Sequence, residues 1–557
     1  MSSAYEPAAR LADRFLHDRV ATRIWSRDPQ VWRADPGSDA ARSIATRLGW
    51  LDLPNTMKSE LDRISRLAES VRNARFDTVY LLGMGGSSLC AEVIQSVFGG
   101  VKGCPRLIVL DTTDDQTIAT VARRATPSRT LFVVASKSGG TVEVTSMERY
   151  FWKWMFDAVG PEAGQHFIAI TDGGTPLETL ASTRGYREIF VNPSDIGGRF
   201  SALSLFGLVP AALIGVSHRD LLAAGAVMAE GCRQENHSNP GLELGAFIGA
   251  AALAGRDKLT VVLPPSLVSL GLWIEQLVAE STGKHGKGIL PVVDEPLGRA
   301  ADYGQDRAFV VLSTDRDRPD VDAVAAVEAG DHPILRLTTR LDALGAEFFR
   351  WEFATALAGA ALGVNPFDEP NVAEAKAKTK ALLESYLATR QLTDTAPRKD
   401  DSAIEVQTRG FSGDGPAEIV RAAIESLQPG DYVAFLSYLP STTAFTETVN
   451  GVRVAIRART RVATTFGVGP RYLHSTGQYH KGGPNSVLAF VITGDDETHT
   501  EVPEAGYSFS VLKRAQALGD VQTLEAHGRR VVHLHVKNHE PHVAISHLFA
   551  DALKPSA

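Results

Sequence analysis

The sequence predicts an α/β protein with parallel sheets flanked by helices. Three observations predict it. From Thr78 onward, short apolar runs alternate with segments of helical spacing. The runs are rich in Val, Ile, Leu and Phe, so they are expected to be buried on both faces, as parallel strands are. Glycine- and hydroxyl-bearing loops follow two of them, TVYLL and TLFVVA, where a parallel strand hands the chain to a helix.

The elements follow in order. Residues 1–72 read as a helical extension: Leu11, Phe15 and Leu16 form one apolar stripe, and Leu61, Ile64, Leu67 and Val71 another. Pro29, Pro36, Gly37 and Pro54 interrupt the helix between them. The extension is expected to pack on a first lobe, residues 73–235, whose strands are TVYLLGM, RLIVLDT, TLFVVAS, HFIAITD and REIFVN. Helices are expected near 90–98, 144–156 and 202–231. A second lobe, 236–392, begins with KLTVVLPP, DRAFVVLST and PILRLTT and ends in a helix over 376–387. Residues 393–416, rich in Thr, Asp and Gly, read as a polar linker or long loop. In 417–557, DYVAFLSYL, VRVAIRART, SVLAFVITG and VVHLHV read as strands that complete the second lobe, with a separate domain as the alternative.

Composition narrows the function. With 557 residues the chain exceeds one ordinary domain of about 150. A net charge of −8 gives no global reason to expect nucleic acid or an anionic membrane. No apolar stretch approaches the roughly 20 residues of a spanning helix, and no signal peptide is expected in the charged first segment. Three cysteines, Cys90, Cys104 and Cys232, form no CxxC pair. A cytoplasmic protein without cofactor or metal is the expectation.

Five segments carry the chemistry. GMGGSS (83–88) follows a strand and opens a helix, with Gly86 and Ser87 where backbone N–H groups meet an anion. It is neither a dinucleotide fingerprint nor a Walker A loop; a structural turn is the plain alternative. SKSGGT (136–141) supplies Ser136, Lys137, Ser138 and Thr141, three hydroxyls and an ammonium suited to a phosphate monoester. Arg199, in GGRFS, could meet developing negative charge, or be a surface arginine. Gln276 and Glu280 are four apart and share a helix face; with Lys284 nearby, Glu280 is a candidate general base or an ordinary surface carboxylate. HSTGQYHKGG (474–483) packs His474 and His480 into one polar loop, which alone could equally be a metal or surface loop. The imidazoles' separation of six positions and the lack of an adjacent carboxylate argue against metal.

In that order, together with NPFDEPNVAEAK (365–376), these segments resemble the signatures of the phosphoglucose isomerase family. The histidine loop is most similar to the isomerase part of transaldolase/glucose-6-phosphate isomerase fusion proteins, and the chain resembles that portion alone. The resemblance implies two sugar-isomerase (SIS) lobes, a homodimer and isomerisation of glucose 6-phosphate to fructose 6-phosphate. A related isomerase that also takes mannose 6-phosphate, or a non-catalytic phosphosugar-binding regulator, are the alternatives. It further implies that Gly86, Ser87, Ser136, Lys137, Ser138 and Thr141 hold the sugar phosphate. Arg199 would steady an enediolate, Gln276 orient the substrate and Glu280 move the proton. Lys376 would stand near the ring oxygen, and His474 would open the ring. Two departures stand out. Many members carry a histidine between the glutamate and the lysine, whereas residues 288–331 here have none. Where the family has a substrate-side glutamine, seven residues before the lysine, this chain has Glu369.

Overall fold

The computed structural model describes residues 5–392, 397–537 and 540–554. Strands β1 (Thr78–Gly83), β2 (Arg106–Leu110), β3 (Thr130–Ala135), β4 (Phe167–Asp172) and β5 (Glu188–Asn192) form an all-parallel sheet in the order β2-β1-β3-β4-β5. β1, β3 and β4 are buried almost throughout, because helices cover both faces. The chain leaves β1 toward β2 but returns on the other side as β3, so the switch point lies between β1 and β3. Their last residues, Gly83 and Ala135, are register partners, and the two polar loops therefore start side by side.

A second parallel sheet contains β6 (Lys258–Val262), β7 (Leu290–Val292), β8 (Arg307–Thr314) and β9 (Ile334–Thr339) in the order β7-β6-β8-β9. The strands of 417–557, expected to complete this lobe, instead join two earlier ones in a third sheet. It comprises β10 (Arg398–Asp400), β11 (Ile404–Gln407), β12 (Tyr432–Ser437), β13 (Ala463–Val468), β14 (Val487–Gly494) and β15 (Arg530–Val536), ordered β10-β11-β15-β14-β12-β13. The run β13-β12-β14-β15 repeats the pattern of β2-β1-β3-β4 and β7-β6-β8-β9. An apolar strand carries no record of the sheet it joins, so periodicity alone left this open.

Two other expectations fail. VRVAIRART is not a strand: it closes the helix Thr443–Thr460, which buries Phe445, Val449, Val452 and Ile456 at helical spacing behind a Thr442 cap. Of the supposed linker, Thr393–Ala396 fall outside the described residues; the rest contains β10 and β11. β11 runs antiparallel to β15 and buries Ile404 and Val406.

The N-terminal helices do not pack on the first lobe alone. Helix Glu6–His17 lies on helix Pro240–Leu253, where Gly249 lets Leu11 approach and Tyr5 meets Phe247 edge-on. Trp32 donates its indole N–H to Ala356 O at 2.9 Å, beyond the second sheet in sequence. Helix Leu61–Asn73, by contrast, packs on Leu205–Leu213, which follows the first sheet. The extension thus straps two lobes together. Among the described residues no helix is long and apolar enough to cross a membrane.

Candidate active site

A cavity of about 460 Å³ opens at the β1/β3 switch point. Gly86, Ser87, Lys137, Ser138 and Thr141 form its floor, and Arg199, Gln276, Glu280, Glu369, Lys376 and His474 its walls. Of the side chains singled out from sequence, all but Ser136, Lys284 and His480 converge here. Ser136, the one exception within the two glycine loops, is buried beneath the loop and donates its hydroxyl to Thr141 Oγ1 at 3.2 Å.

Two glycines make the floor possible. Gly85 has φ +54°, and a Cβ there would lie 2.8 Å from both Gln276 Nε2 and His474 O. At Gly86 a Cβ would lie 2.1 Å from Gly198 O, so the GMGGSS backbone can touch that of GGRFS only because Gly86 has no side chain. That contact carries Arg199 to the cavity wall.

Arg199 is 3% exposed and fully engaged. It donates from Nε to Ser281 Oγ at 2.8 Å, and from Nη2 to Pro366 O at 2.7 Å and Asp368 O at 2.9 Å. Its Nη1 faces two carboxylates, Glu369 Oε2 at 3.0 Å and Glu280 Oε1 at 3.6 Å. Glu280 lies on helix Leu270–Thr282, whose Trp273, Ile274, Leu277 and Val278 are buried; one turn earlier, Gln276 donates to Glu280 Oε2 at 3.1 Å and to His474 O at 2.8 Å. Burial pushes the Glu280 carboxyl above the ordinary carboxylate range; Arg199 opposes that, and Glu369 adds to it. Burial alone would also raise Glu369, but Arg199 and Arg47 hold it below that range. The two carboxyls are pushed apart, as a base and a permanent anion would be.

His474 lies in the turn Arg471–His474 after β13, so the third lobe supplies this wall. Its Nε2 donates to Glu143 Oε1 at 2.8 Å, and Gln516 donates to the same oxygen at 2.7 Å. Thr113 in turn donates to Gln516 Oε1 at 2.9 Å. With Nε2–H committed, Nδ1 is the ring nitrogen left for other chemistry. Burial would raise the Glu143 carboxyl, but His474 and Lys376 hold it low and ionised. His480 is elsewhere: it is 1% exposed, its Nδ1 meets Tyr432 OH at 2.8 Å, and burial pushes it down to about 3.

Several contributors carried no sequence signal. Arg47, from the N-terminal extension, lines the cavity 3.8 Å from Glu369. Asp172, at the end of β4, pairs with Lys137, which also donates to Ser194 O at 3.3 Å. Glu143 stands in the first turn of the helix after SKSGGT, a position that its motif context could have flagged. Lys284, near Glu280 in sequence, does not line the cavity. It ties down the loop bearing Glu369 through Asn365 O, Asp368 O (2.5 Å) and Asp368 Oδ1 (2.6 Å), and burial lowers it to about 8.

Doubly wound parallel sheets, with an anion cradle at one switch point and a guanidinium-flanked carboxylate above it, define an α/β protein built to hold and act on a small phosphorylated molecule. The phosphoglucose isomerase family profile matches residues 55–294. Glucose-6-phosphate isomerase of Parabacteroides distasonis is 30% identical over 398 residues, 60% of this chain and 87% of that protein. That of Symbiobacterium thermophilum is 29% identical over 433 residues, 68% of this chain and 91% of that protein. Among solved structures, a hypothetical protein of Thermus thermophilus superposes with TM-score 0.57 at 24% identity, covering 67% of this chain and 96% of its own. A glucose-6-phosphate isomerase of Chlamydia trachomatis gives TM-score 0.50 at 23% identity, covering 66% and 78%. The chain belongs to the phosphoglucose isomerase family. Lys376 and His474 lie outside the residues that the profile matches.

Proposed function

We propose that the chain interconverts glucose 6-phosphate and fructose 6-phosphate. One observation carries this: a buried carboxylate of raised basicity, Glu280, faces a fixed guanidinium across one cavity from a phosphate cradle. The loop amides, Ser87, Ser138 and Thr141 grip the phosphate and so fix the far end of the sugar. Lys137 is held by Asp172 and adds charge to the floor.

The substrate arrives as a ring. His474, through Nδ1, takes the proton of the C1 hydroxyl, while Lys376 gives one to the ring oxygen, and the hemiacetal opens. Glu143 steadies the imidazolium that this step creates, much as a carboxylate orients and charges a catalytic imidazole elsewhere. Glu280 then removes the C2 proton of the open aldose. Negative charge moves to O1, and Arg199 stands beside the resulting cis-enediolate at no cost of reorganisation, because four protein groups already hold it. Glu280 returns the proton to C1 while the O2 hydroxyl proton passes to O1, leaving a C2 carbonyl; ring closure then returns the O5 proton to Lys376 and draws the imidazolium proton of His474 onto O2. One carboxylate serves both carbons, so electrons and protons balance without a redox partner. The family resemblance further implies a homodimer, and the composition a cytoplasmic one.

A coupled assay with fructose 6-phosphate tests the proposal, paired with loss of deuterium from C2 of labelled glucose 6-phosphate. Turnover with partial transfer of the label to C1 is expected. Saturable binding of either sugar phosphate without turnover would identify a phosphosugar-binding regulator instead. Matching turnover of mannose 6-phosphate would show wider specificity around C2.

A further inference from the structure

A second chamber, of about 550 Å³, adjoins the candidate active site. The two share Ser138, Thr141, Val372, Lys376 and His474 as a common wall. Beyond that wall the chamber is largely apolar. One face of helix Pro370–Thr389 runs along it, presenting Val372, Ala375, Leu383 and Leu387 at successive spacings of three, eight and four. Val142, Leu473 and Tyr507 close the other side. The volume falls within the range of small-molecule pockets, roughly 300–1,000 Å³.

The charged groups of the chamber, Lys376, Lys380, Glu143 and Glu384, differ in their engagement. Among the described residues Lys376 has no direct hydrogen bond or ion-pair contact, and its charge is felt at a distance by Glu143. Lys380, one turn on, has only Glu384 within 3.8 Å, at the outer end. The remaining carboxylate, Glu143, is already satisfied by His474 and Gln516. An apolar slot with an ammonium at its inner end that no carboxylate contacts directly is complementary to a molecule that is apolar along its body and anionic at one tip.

We propose that this chamber binds an amphipathic anion, an apolar ring system or chain with a single sulfonate, carboxylate or phosphate head. The head takes Lys376 and the Ser138 and Thr141 hydroxyls, and the body lies against Leu383 and Leu387. Because those head contacts belong to the sugar-phosphate cavity as well, the amphiphile and the sugar phosphate exclude each other. The chamber is thus a competitive regulatory site for apolar anions, and it rests on the reading of the neighbouring cavity as the phosphosugar site.

The probe is 1-anilinonaphthalene-8-sulfonate, with neutral N-phenyl-1-naphthylamine as its uncharged counterpart, titrated into the full chain by fluorescence. One saturable site per chain is expected, with the sulfonate at least about tenfold tighter than the amine. Glucose 6-phosphate should raise its apparent Kd in proportion to concentration, and the dye should inhibit turnover competitively. Leu387→Glu should weaken both dyes about tenfold, and Lys380→Glu only the sulfonate, while both variants keep the parent kcat/KM. Non-saturable binding, indifference to glucose 6-phosphate, or indifference to both substitutions overturns the proposal. So does dye binding that vanishes as protein concentration rises, which would mean that a second copy of the chain covers the chamber. Displacement by glucose 6-phosphate without turnover would sink the catalytic reading and leave the chamber standing. Turnover without dye displacement would remove the chamber alone.

Discussion

Shortening Glu280 by one methylene tests the geometry of the site more sharply than deleting its charge. The helix that carries it is walled in by Trp273, Ile274, Leu277 and Val278, each at most 1% exposed, so its backbone cannot follow the missing atom. In Glu280→Asp the carboxylate therefore retreats by about one C–C bond, 1.5 Å, from the carbons it serves. A misplacement of about 1 Å can cost about 100-fold, so kcat should fall by about 10²–10³. Glu280→Gln keeps the shape and removes the base; the expected loss is about 10³–10⁴, or about 4–5.5 kcal/mol of barrier. KM should change by less than about threefold in both, since uniform binding comes from the phosphate loops at the other end. The measurement is steady-state turnover of fructose 6-phosphate through a coupled dehydrogenase, with deuterium loss from C2 as an independent readout. Thermal melting and sugar-phosphate titration confirm that each variant folds and binds. If Glu280→Gln retains turnover within about tenfold of the parent, Glu280 is not the base and the proton-transfer scheme is wrong.

Three further outcomes are expected. Glu369→Gln removes a negative charge that adds to the raised basicity of Glu280; because Glu280 works ionised, the acid limb of kcat/KM should move to lower pH, and a limb that stays or moves up would contradict the shared-guanidinium reading. His474→Asn should lower turnover about 10²–10⁴-fold, whereas His480→Asn should alter stability and leave the pH–rate profile in place; equal losses in turnover would reverse the assignment. Glu275, which shares a cavity with Asp294, Arg453 and Arg471, is pushed up to about 8 by burial and then by Asp294. A carboxyl raised in the fold stabilises fully below its unfolded value of about 4.5, and that contribution is lost as pH rises toward 8. Glu275→Gln should therefore match the parent near pH 4.5 and exceed it increasingly by pH 8, by up to about 5 kcal/mol. Denaturation midpoints that run parallel from pH 5 to 8 would remove that carboxyl from the stability balance.

Much of the site was legible because its signals are local. A strand, a glycine pair and hydroxyls within six residues mark a tight polar turn at a strand end whatever lies beyond, so GMGGSS and SKSGGT could be placed at strand ends before any sheet was known. Gln276 and Glu280 share a helix face for the same reason, through 3.6-residue periodicity. Ser136 shows the limit of such reasoning: its motif marks the loop correctly, but the pleat turns its hydroxyl under the loop and toward Thr141.

What lay beyond local chemistry needed the folded chain. His474 and His480 sit in one loop with similar neighbours, and only the packing of that loop sends one to the cavity and the other to Tyr432. Arg47 reaches the site from a segment that reads only as helix and turn, because the extension straps two lobes together. Glu369 looked discordant beside an anionic substrate; its meaning came from Arg199, 170 positions earlier in the chain, and from Arg47 beyond that. The third sheet follows the same logic. Apolar strands announce burial but not partners, since pairing energy comes from whichever edge the rest of the chain presents. Sequence thus decided which turns present glycines and hydroxyls at strand ends and which helix carries a carboxylate at its end. Tertiary structure decided which charges meet there, because Coulomb and hydrogen-bond energies depend on distance in space, and separation along the chain does not enter them.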